Sequence, residues 1–392
     1  MSPLVSARRA TTAIFVLNGF VFGMWMVNIP DILDRTDASK AELGTLLLLL
    51  GGAAFVGMQI TGRLTDRHGA RPITVVSALL LCAALLGPAF ASDVWTLAAA
   101  LAVLGFTNGA VDVGQNTHAV EVERGYGRPV MSGFHAFFSL GGFLAALLGG
   151  ALIAVGTDLR VSLGIAAAAG VGVTIAARPG LLPPSPRTRR ERDRAGSRAP
   201  WTARVLLLGA IAFVLFLSEG VAYDWSTVHL HDSLGARKDV AAWAFGAFSV
   251  TMTAMRLVAD RIVARTGPAR YVRVAALVGA VALTGAALAP NAPTAIVAWG
   301  LFGVGLAGCI PQFFTAAGNV DVTLSGTYVA RLGGIGYLGL LAGPSAIGML
   351  TVWIPLTTAF VVPIVGCVLA GLLAPMALRP VDASTTPSQE DA

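Results

Sequence analysis

Charge is scarce in this sequence. Asp, Glu, Lys and Arg together make up only 12% of its 392 residues, against about 25% in soluble domains. Hydrophobic residues reach 55%, and the mean hydropathy is +0.74. Water is therefore the wrong solvent for most of the surface, and these values exclude a soluble globular protein.

Lysine and cysteine are also rare. The only two lysines, Lys40 and Lys238, do not follow the glycine pattern of a phosphate-binding loop, which argues against an ATP-driven pump. The three cysteines, Cys82, Cys309 and Cys367, fall inside apolar runs at spacings unlike a metal or redox motif. We predict that they are buried free thiols.

Catalytic and metal-binding patterns are also missing. A membrane enzyme needs a nucleophile with its base, or a metal cluster, at one membrane depth, and the sequence presents neither. The pair His229 and His231, followed by Asp232, has no further ligand nearby and makes a weak metal site. We therefore predict a protein that is not an enzyme and needs no cofactor or metal.

Long apolar runs are what the sequence has in abundance. A spanning helix needs about 20 apolar residues, and we count twelve such segments. They are 11–32, 41–62, 73–91, 94–118, 131–156, 160–178, 204–226, 239–262, 271–289, 292–316, 329–350 and 357–378. Backbone groups in hydrocarbon must be hydrogen-bonded internally, so the prediction is an all-α membrane protein. The 46 glycines suit close helix contacts in a bilayer.

The basic residues predict the orientation. The net charge is +6, but of 27 basic residues only five fall in the odd-numbered loops, and the other 22 lie in the termini, the even-numbered loops or the helix ends beside them. Those five are Arg35, Lys40, Arg160, Arg237 and Lys238. This asymmetry predicts a multi-pass protein of the cytoplasmic (inner) membrane with both termini in the cytoplasm. The positive charge thus reflects topology, and we expect no nucleic-acid partner.

The chain divides into two similar halves. Arg256–Pro268 follows segment 8 as Gly62–Pro72 follows segment 2, and Gly133–Leu152 of segment 5 is echoed by Gly334–Leu350 of segment 11. We predict two pseudo-symmetric six-helix bundles with a solute site between them near the bilayer midplane. The predicted parts are the bundle 1–178, a basic cytoplasmic linker 179–203, the bundle 204–380 and a disordered tail 381–392.

The loop Gly62–Pro72 carries the most specific motif. Asp66 lies among three arginines, where its carboxylate can pair with a guanidinium or cap a helix N-terminus. The pattern G-x-L-x-D-R-x-G-x-R between segments 2 and 3 resembles the signature loop of the major facilitator superfamily. The resemblance implies a gating motif in both halves. Its candidate residues are Gly62, Arg63, Asp66, Arg67, Gly69, Arg71, Arg256, Asp260 and Arg265.

Polar side chains recur at helical spacing inside the apolar segments. In segment 4, Asn108, Asp112, Gln115 and Asn116 share one face, which lines either a wet pathway or a buried polar contact between helices. In segment 1, a stripe of Asn18, Phe22, Trp25 and Asn28 lines a cavity or packs between helices. Further candidates for the solute cavity are His135, Tyr223, Gln312 and Tyr337.

Two acids are candidates for proton coupling. Asp112 and Glu219 both lie deep in apolar segments, where a carboxylate is paired, protonated or near water. Asp224 is close enough to the segment end to reach the outer interface, and a lone histidine such as His135 is more often a hydrogen-bonded core residue than a proton relay. We keep both acids as candidates.

The segments Asn108–Arg124, Gly133–Gly142, Ser218–Trp225 and Gly336–Pro344 look like the YbjJ-like branch of the superfamily, and more distantly like fucose permease. Fucose permease carries a carboxylate four residues before an asparagine in helix 4, as Asp112 and Asn116 do here. The resemblance implies a monomeric secondary transporter in the lipid bilayer, driven by the proton gradient through alternating access.

Several functions remain open. Import of a sugar-like or other small polar solute fits the amides of segment 4, whereas the aromatic residues allow proton-driven efflux of a drug-like metabolite. A non-transporting receptor on the same fold is a further alternative.

Overall fold

The computed structural model describes residues 2–184 and 199–379, and every regular element in those ranges is helical. Within them twelve helices are long and apolar enough to cross a membrane. We number them α1 (Pro3–Val27), α2 (Glu42–His68), α3 (Ala70–Phe90), α4 (Val94–Tyr126), α5 (Met131–Ala154), α6 (Leu159–Gly180), α7 (Ala203–Ser233), α8 (Val240–Thr266), α9 (Pro268–Ala287), α10 (Ala292–Gly318), α11 (Val322–Leu350) and α12 (Leu356–Ala377). The predicted all-α, twelve-helix membrane fold is confirmed.

Several helices extend beyond the apolar segments that predicted them. The predicted segment 94–118 becomes α4, which continues to Tyr126 through charged residues before Gly127 ends it. The first helix starts at Pro3 rather than at 11 and ends at Val27, where a separate short helix, Ile29–Thr36, begins. Hydropathy marks only the part of a helix that lies in hydrocarbon, so polar helix ends escape a search for apolar runs.

Both ends of the described chain lie on one side of the bundle. Near the start of the chain, the guanidinium of Arg8 lies 5.7 Å from the centre of the Tyr126 ring at the end of α4. At the other end, Arg204 at the start of α7 donates to the carbonyl of Arg379 at 2.7 Å. We call this the terminal side of the protein and the other the opposite side.

Helices in the two halves pack in matching pairs. In the N-terminal half α1 packs along α5 and α2 along α4, and in the C-terminal half α7 packs along α11 and α8 along α10. The halves meet where α2 lies against α11 and α5 lies against α8. Shifting each helix number by six converts one set of pairs into the other, which is the internal symmetry of two similar bundles.

The segment between the halves is described only at its ends. The backbone N–H of Leu182 donates to Nε2 of the buried His118 at 2.9 Å, which holds the first end on the N-terminal half. Arg331 of α11 donates to the carbonyls of Ala199 and Pro200, which holds the second end on the C-terminal half. Residues 185–198 of the predicted basic linker 179–203 and the predicted tail 381–392 lie outside the described residues, and the predicted division into parts stays a prediction.

Candidate functional site

The signature aspartate of the first half caps a helix of the second half. Asp66, only 2% exposed, accepts hydrogen bonds from the backbone N–H groups of Gly326 at 2.7 Å and Thr327 at 3.0 Å, and from the Thr327 hydroxyl. These N–H groups belong to the first turn of the α-helical part of α11, Ser325–Leu350, where no intrahelical acceptor exists. Helix capping, one of the two roles that the sequence predicted for Asp66, is therefore present. The positive end of the helix dipole favours the negatively charged carboxylate.

An aspartate of the second half caps a helix of the first half in the same way. Asp260 of α8 accepts from the backbone N–H groups of Ser132 at 3.0 Å and Gly133 at 2.8 Å, which lie in the first turn of α5. Each half thus supplies one carboxylate that caps a helix of the other half. Both contacts lie on the terminal side.

The other residues of the gating motif surround these caps. Gly62 lies directly against Gly326 and Ala330 of α11, while the side chains of Arg63 and Arg67 are exposed. Arg71 is partly buried, and Arg265 is exposed at the end of α8. Gly69 has a φ of +89°, a conformation that L side chains rarely adopt, and it turns the chain from α2 into α3.

A second layer of polar contacts closes the terminal side further. Glu123, at the end of α4, accepts from Thr315 of α10 at 2.7 Å and from the backbone N–H groups of Val130 and Met131. Its neighbour Arg124 donates to the carbonyl of Gly318 and to the side chain of Asn319. These residues were not predicted, although two charges near the end of a long apolar run were a usable signal.

Asp112 lies in a network of neutral donors. Its Oδ1 atom accepts from Nδ2 of Asn116 at 3.1 Å and from Nε2 of Gln115 at 3.4 Å. The amide oxygen of Asn116 lies 3.2 Å from Nε2 of His135, whose ring is flanked by Phe15 and Phe314. The structure thus brings the predicted cavity residues Gln115, Asn116 and His135 together around Asp112, the predicted proton-coupling acid.

Glu219 has a different environment, because it forms an ion pair with Arg256. The distance from Oε1 of Glu219 to Nη2 of Arg256 is 3.2 Å, and both side chains are at least nine-tenths buried. Tyr223, one turn along α7, donates its hydroxyl to the same carboxylate oxygen. Arg256 also donates to the hydroxyl of Ser139 on α5 at 3.3 Å, so it contacts both halves.

The sequence placed Arg256 in the gating motif, and the structure gives it this partner deeper in the protein. A buried charge without a partner is costly. Opposite charges inside neighbouring apolar segments were therefore a signal that could have identified the pair.

The remaining predicted cavity residues divide into two groups. Asn108 donates to the hydroxyl of Tyr337 at 3.4 Å, and Gln312 donates to Ser132 at 3.3 Å, so these residues join the two halves. On α1, by contrast, Asn18, Trp25 and Asn28 are each only 1% exposed. Gln115 and Asn116 of α4 are buried to the same degree, at 1% and 0% exposed, so packing rather than burial distinguishes the α1 residues.

Trp25 belongs to the apolar core of the N-terminal half, and Phe22 packs against that core from a partly buried position. Asn28 donates to the carbonyl of Met24 in its own helix at 2.7 Å. The stripe on α1 therefore stays apart from the network around Asp112.

Accessibility rises on the opposite side of the ion pair. Glu219 is 6% exposed, whereas Tyr223, one turn nearer the opposite side, is 40% exposed. Phe245 of α8 packs edge-on against the Tyr223 ring and is also 40% exposed. The hydrogen bonds named above between the halves all lie at or on the terminal side of the helix midpoints, so the interface is closed on that side.

The chain was also compared with known proteins. The model of the Major Facilitator Superfamily matches residues 11–316 and, again, 208–392. The chain belongs to the major facilitator superfamily. It is therefore a multi-pass membrane transporter, and the resemblance of the Gly62–Pro72 loop is confirmed at the level of the superfamily.

Two relatives can be aligned with nearly the whole chain. The uncharacterized transporter y4wD of Sinorhizobium fredii is 33% identical over 383 residues, which are 96% of this chain and 99% of the relative. An uncharacterized transporter of Yersinia pestis, described as MFS-type, is 33% identical over 373 residues, which are 95% of each chain.

Among solved structures, the fucose:proton symporter of E. coli aligns with a TM-score of 0.79 at 13% identity, covering 97% of this chain and all of that chain. This structural likeness supports the twelve-helix superfamily fold. The narrower resemblance to the YbjJ-like branch stays a prediction.

Proposed function

We propose that this superfamily member is a secondary active transporter that moves a small polar solute by alternating access, coupled to protons. The terminal side carries most of the basic residues, so we assign it to the cytoplasm and the protein to the cytoplasmic membrane. With that assignment the structure is closed toward the cytoplasm and corresponds to an outward-facing state. The chain works as a monomer, with its two bundles moving as units.

One observation carries the proposal: the buried Glu219–Arg256 ion pair lies at the boundary between the closed terminal side and the accessible opposite side. Arg256 bonds Glu219 in its own half and Ser139 in the other half. Protonation of Glu219 removes the charge that holds Arg256, which weakens the link between the halves. A proton arriving from outside is thereby coupled to a change in the interface.

Asp112 is the second proton site in this mechanism. Its side-chain hydrogen bonds come from neutral amides, so none of those contacts compensates a negative charge. A carboxylate at this depth is stabilised by taking up a proton or by contact with water. Asp112 therefore alternates between neutral and ionised forms as water reaches it from one side and then the other.

The solute class follows from the groups that surround these acids. The amides of Asn108, Gln115 and Asn116 and the hydroxyl of Tyr337 donate and accept hydrogen bonds, as recognition of a polyhydroxylated, sugar-like solute requires. The structurally similar E. coli protein is a fucose:proton symporter. We propose import of a sugar-like or other small polar solute.

Proton-driven efflux of a drug-like metabolite is the second candidate. The observation that favours it is the aromatic cluster on the opposite side, where Tyr223 packs edge-on against Phe245 and Phe248 with ring centroids 5.9 Å apart. Such a cluster provides apolar contact area for a flat, hydrophobic compound.

The test is proton movement in proteoliposomes that contain a pH-sensitive dye. A screen of sugars, nucleosides and antibiotics at two pH values first identifies solutes that raise the thermal stability of the purified protein. These solutes are then added to the vesicles without an imposed proton gradient. We expect solute-dependent proton influx with wild type and none with Asp112→Asn, while counterflow exchange of labelled solute persists. Asp158→Asn is the matched control, since Asp158 only caps the first turn of α6 through Arg160 N–H.

Proton influx that is unchanged in Asp112→Asn removes this residue from the mechanism. Solute uptake without any proton movement in wild type refutes proton coupling itself. Proton influx accompanied by solute release rather than uptake favours the efflux candidate.

A further inference from the structure

A groove on the outer surface of the C-terminal half lies apart from the site described above. It runs between α8, α9 and α10 and has a volume of about 230 Å³. Its walls are mostly apolar, with Met255 and Ile262 from α8, Val274 and Val278 from α9, and Val304 from α10. None of these residues takes part in the contacts between the halves described above.

The groove lies beside a break in α10. The first part of that helix ends at Leu306, and a second helical part begins at Cys309. Gly308 between them has a φ of +70°, a conformation that favours glycine. Tyr271, which lines the groove, donates its hydroxyl to the carbonyl of Ala307 at 2.6 Å and so satisfies an acceptor freed by the break. The groove is therefore fixed by the fold rather than by loose packing.

Its position along the helices matches one leaflet of a bilayer. Arg270 and Val278 mark its extent along α9, and a helical rise of 1.5 Å per residue makes that distance about 12 Å. Half of a hydrocarbon core of about 30 Å is about 15 Å. Val274 and Val278 are 54% and 38% exposed at this depth. Exposed apolar side chains within the membrane face lipid, so an acyl chain can reach the groove.

The terminal end of the groove is strongly basic. Arg270 and Thr266 line it there, and Arg261, Arg265 and Arg273 lie on the adjoining turns of α8 and α9. All four arginines are exposed, and within the described part of the chain none of them forms an ion pair.

Few acidic side chains lie near these arginines along the sequence of α8, α9 and α10. Asp260 is the only acidic residue between positions 240 and 320. Its carboxylate is bound to the backbone of Ser132 and Gly133 in the other half. The turn between α8 and α9 therefore presents a cluster of exposed arginines at the level of the lipid headgroups.

We propose that this groove is a binding site for an anionic phospholipid of the terminal-side leaflet. One acyl chain lies along Val274 and Val278, and the headgroup phosphate is bound by the guanidinium of Arg270, since the Thr266 hydroxyl already donates to the carbonyl of Ile262. The charge selects an anionic lipid, because basic pockets between helices near the membrane surface bind such headgroups. The apolar walls at membrane depth select a lipid over a free phosphate.

Native mass spectrometry of the purified full-length protein tests the site. The protein is titrated in detergent with phosphatidylglycerol or with phosphatidylethanolamine of the same acyl chains. We expect wild type to retain one phosphatidylglycerol more tightly than phosphatidylethanolamine. Arg270→Gln should weaken retention of phosphatidylglycerol about fivefold, the factor that corresponds to about 1 kcal/mol for one basic residue near the surface.

Two further variants separate the site from general effects. Val274→Trp fills the groove and should abolish tight retention of one lipid while leaving the charge unchanged. Arg178→Gln is the matched control, since it removes an exposed charge at the terminal-side end of α6, away from the groove, and should not alter retention. The thermal unfolding midpoint of each variant without lipid shows that it is folded.

Equal retention of the two lipids by wild type overturns the proposal. So does unchanged phosphatidylglycerol retention in both Arg270→Gln and Val274→Trp. An equal loss of phosphatidylglycerol retention in Arg178→Gln also overturns the proposal, because lipid retention would then follow the net charge of the protein. Binding of inorganic phosphate with the same dependence on Arg270 would assign the site to a soluble anion instead.

Discussion

The two sides of the bundle use the same capping chemistry in different ways. On the opposite side, Asp93, Asp158 and Asn291 each accept from the backbone of the helix that they precede. On the terminal side, Asp66 and Asp260 accept from helices of the other half. A local cap stabilises one helix and leaves the halves independent, whereas a cap across the interface stabilises one arrangement of the halves. The difference supports the proposal that the terminal side acts as a gate.

The largest effect is expected at Arg256, which lies where the two sides meet. Arg256→Gln leaves the buried Glu219 carboxylate without its cation, and breaking a buried ion pair costs about 3–5 kcal/mol. We expect a clearly lower thermal unfolding midpoint in detergent and loss of proton-coupled transport.

The double variant Glu219→Gln with Arg256→Gln should recover most of the lost stability, because no charge remains buried, but it should not recover coupling. An Arg256→Gln variant as stable as wild type would contradict a buried ion pair between Glu219 and Arg256.

An intermediate effect is expected at the two caps that cross the interface. Loss of a helix cap costs about 1 kcal/mol, so Asp66→Ala and Asp260→Ala should shift the population of states severalfold toward opening on the terminal side. Distances between spin labels on α2 and α11 and on α5 and α8 measure that shift.

Asp66→Ala and Asp260→Ala should act with similar strength, since each carboxylate accepts from two backbone N–H groups of the other half. Solute affinity should change little while turnover falls. A large loss of affinity with normal turnover in Asp66→Ala would contradict a gating role.

The smallest effect is expected at Asp93, a local cap on the opposite side. Hydrogen bonding, first of all from the Thr96 backbone N–H, lowers the pKa of the Asp93 carboxyl. A carboxyl whose pKa is lower in the folded state stabilises the fold above its unfolded-state pKa and loses that contribution as the pH falls through the folded-state pKa.

Asp93→Ala should therefore lower the thermal midpoint slightly at neutral pH and leave the distances between the halves unchanged. The difference from wild type should shrink in acid. If this variant opened the terminal side as Asp66→Ala is expected to, the contrast between local and crossing caps would be lost.

How much the sequence could predict depended on how local each interaction is. The twelve helices followed from apolar runs, and Asp66 stood out because glycines and arginines surround it within Gly62–Pro72. The structure places most of that stretch in the end of α2 and the start of α3 rather than in a loop. Its partners Gly326 and Thr327 could not be predicted, since they lie 260 and 261 residues away and offer only backbone N–H groups.

Helical spacing placed Asp112 and Asn116 on one face, but it assigned Trp25 to a similar stripe although that residue lies in the core of its own half. Periodicity identifies the face of a helix, and only the packing of neighbouring helices determines whether that face meets water.

Labelling of single cysteines from outside the membrane tests the central claim most directly. The buried Cys82, Cys309 and Cys367 are first replaced by alanine. Phe245→Cys reports the accessible opposite side, and Gln312→Cys, at a residue 4% exposed, reports the closed terminal side. In right-side-out vesicles, a membrane-impermeant thiol reagent should modify Phe245→Cys rapidly and Gln312→Cys hardly at all. Slow modification of Phe245→Cys from outside, with rapid modification of Gln312→Cys in inside-out vesicles, would contradict an interface closed toward the cytoplasm and open toward the outside.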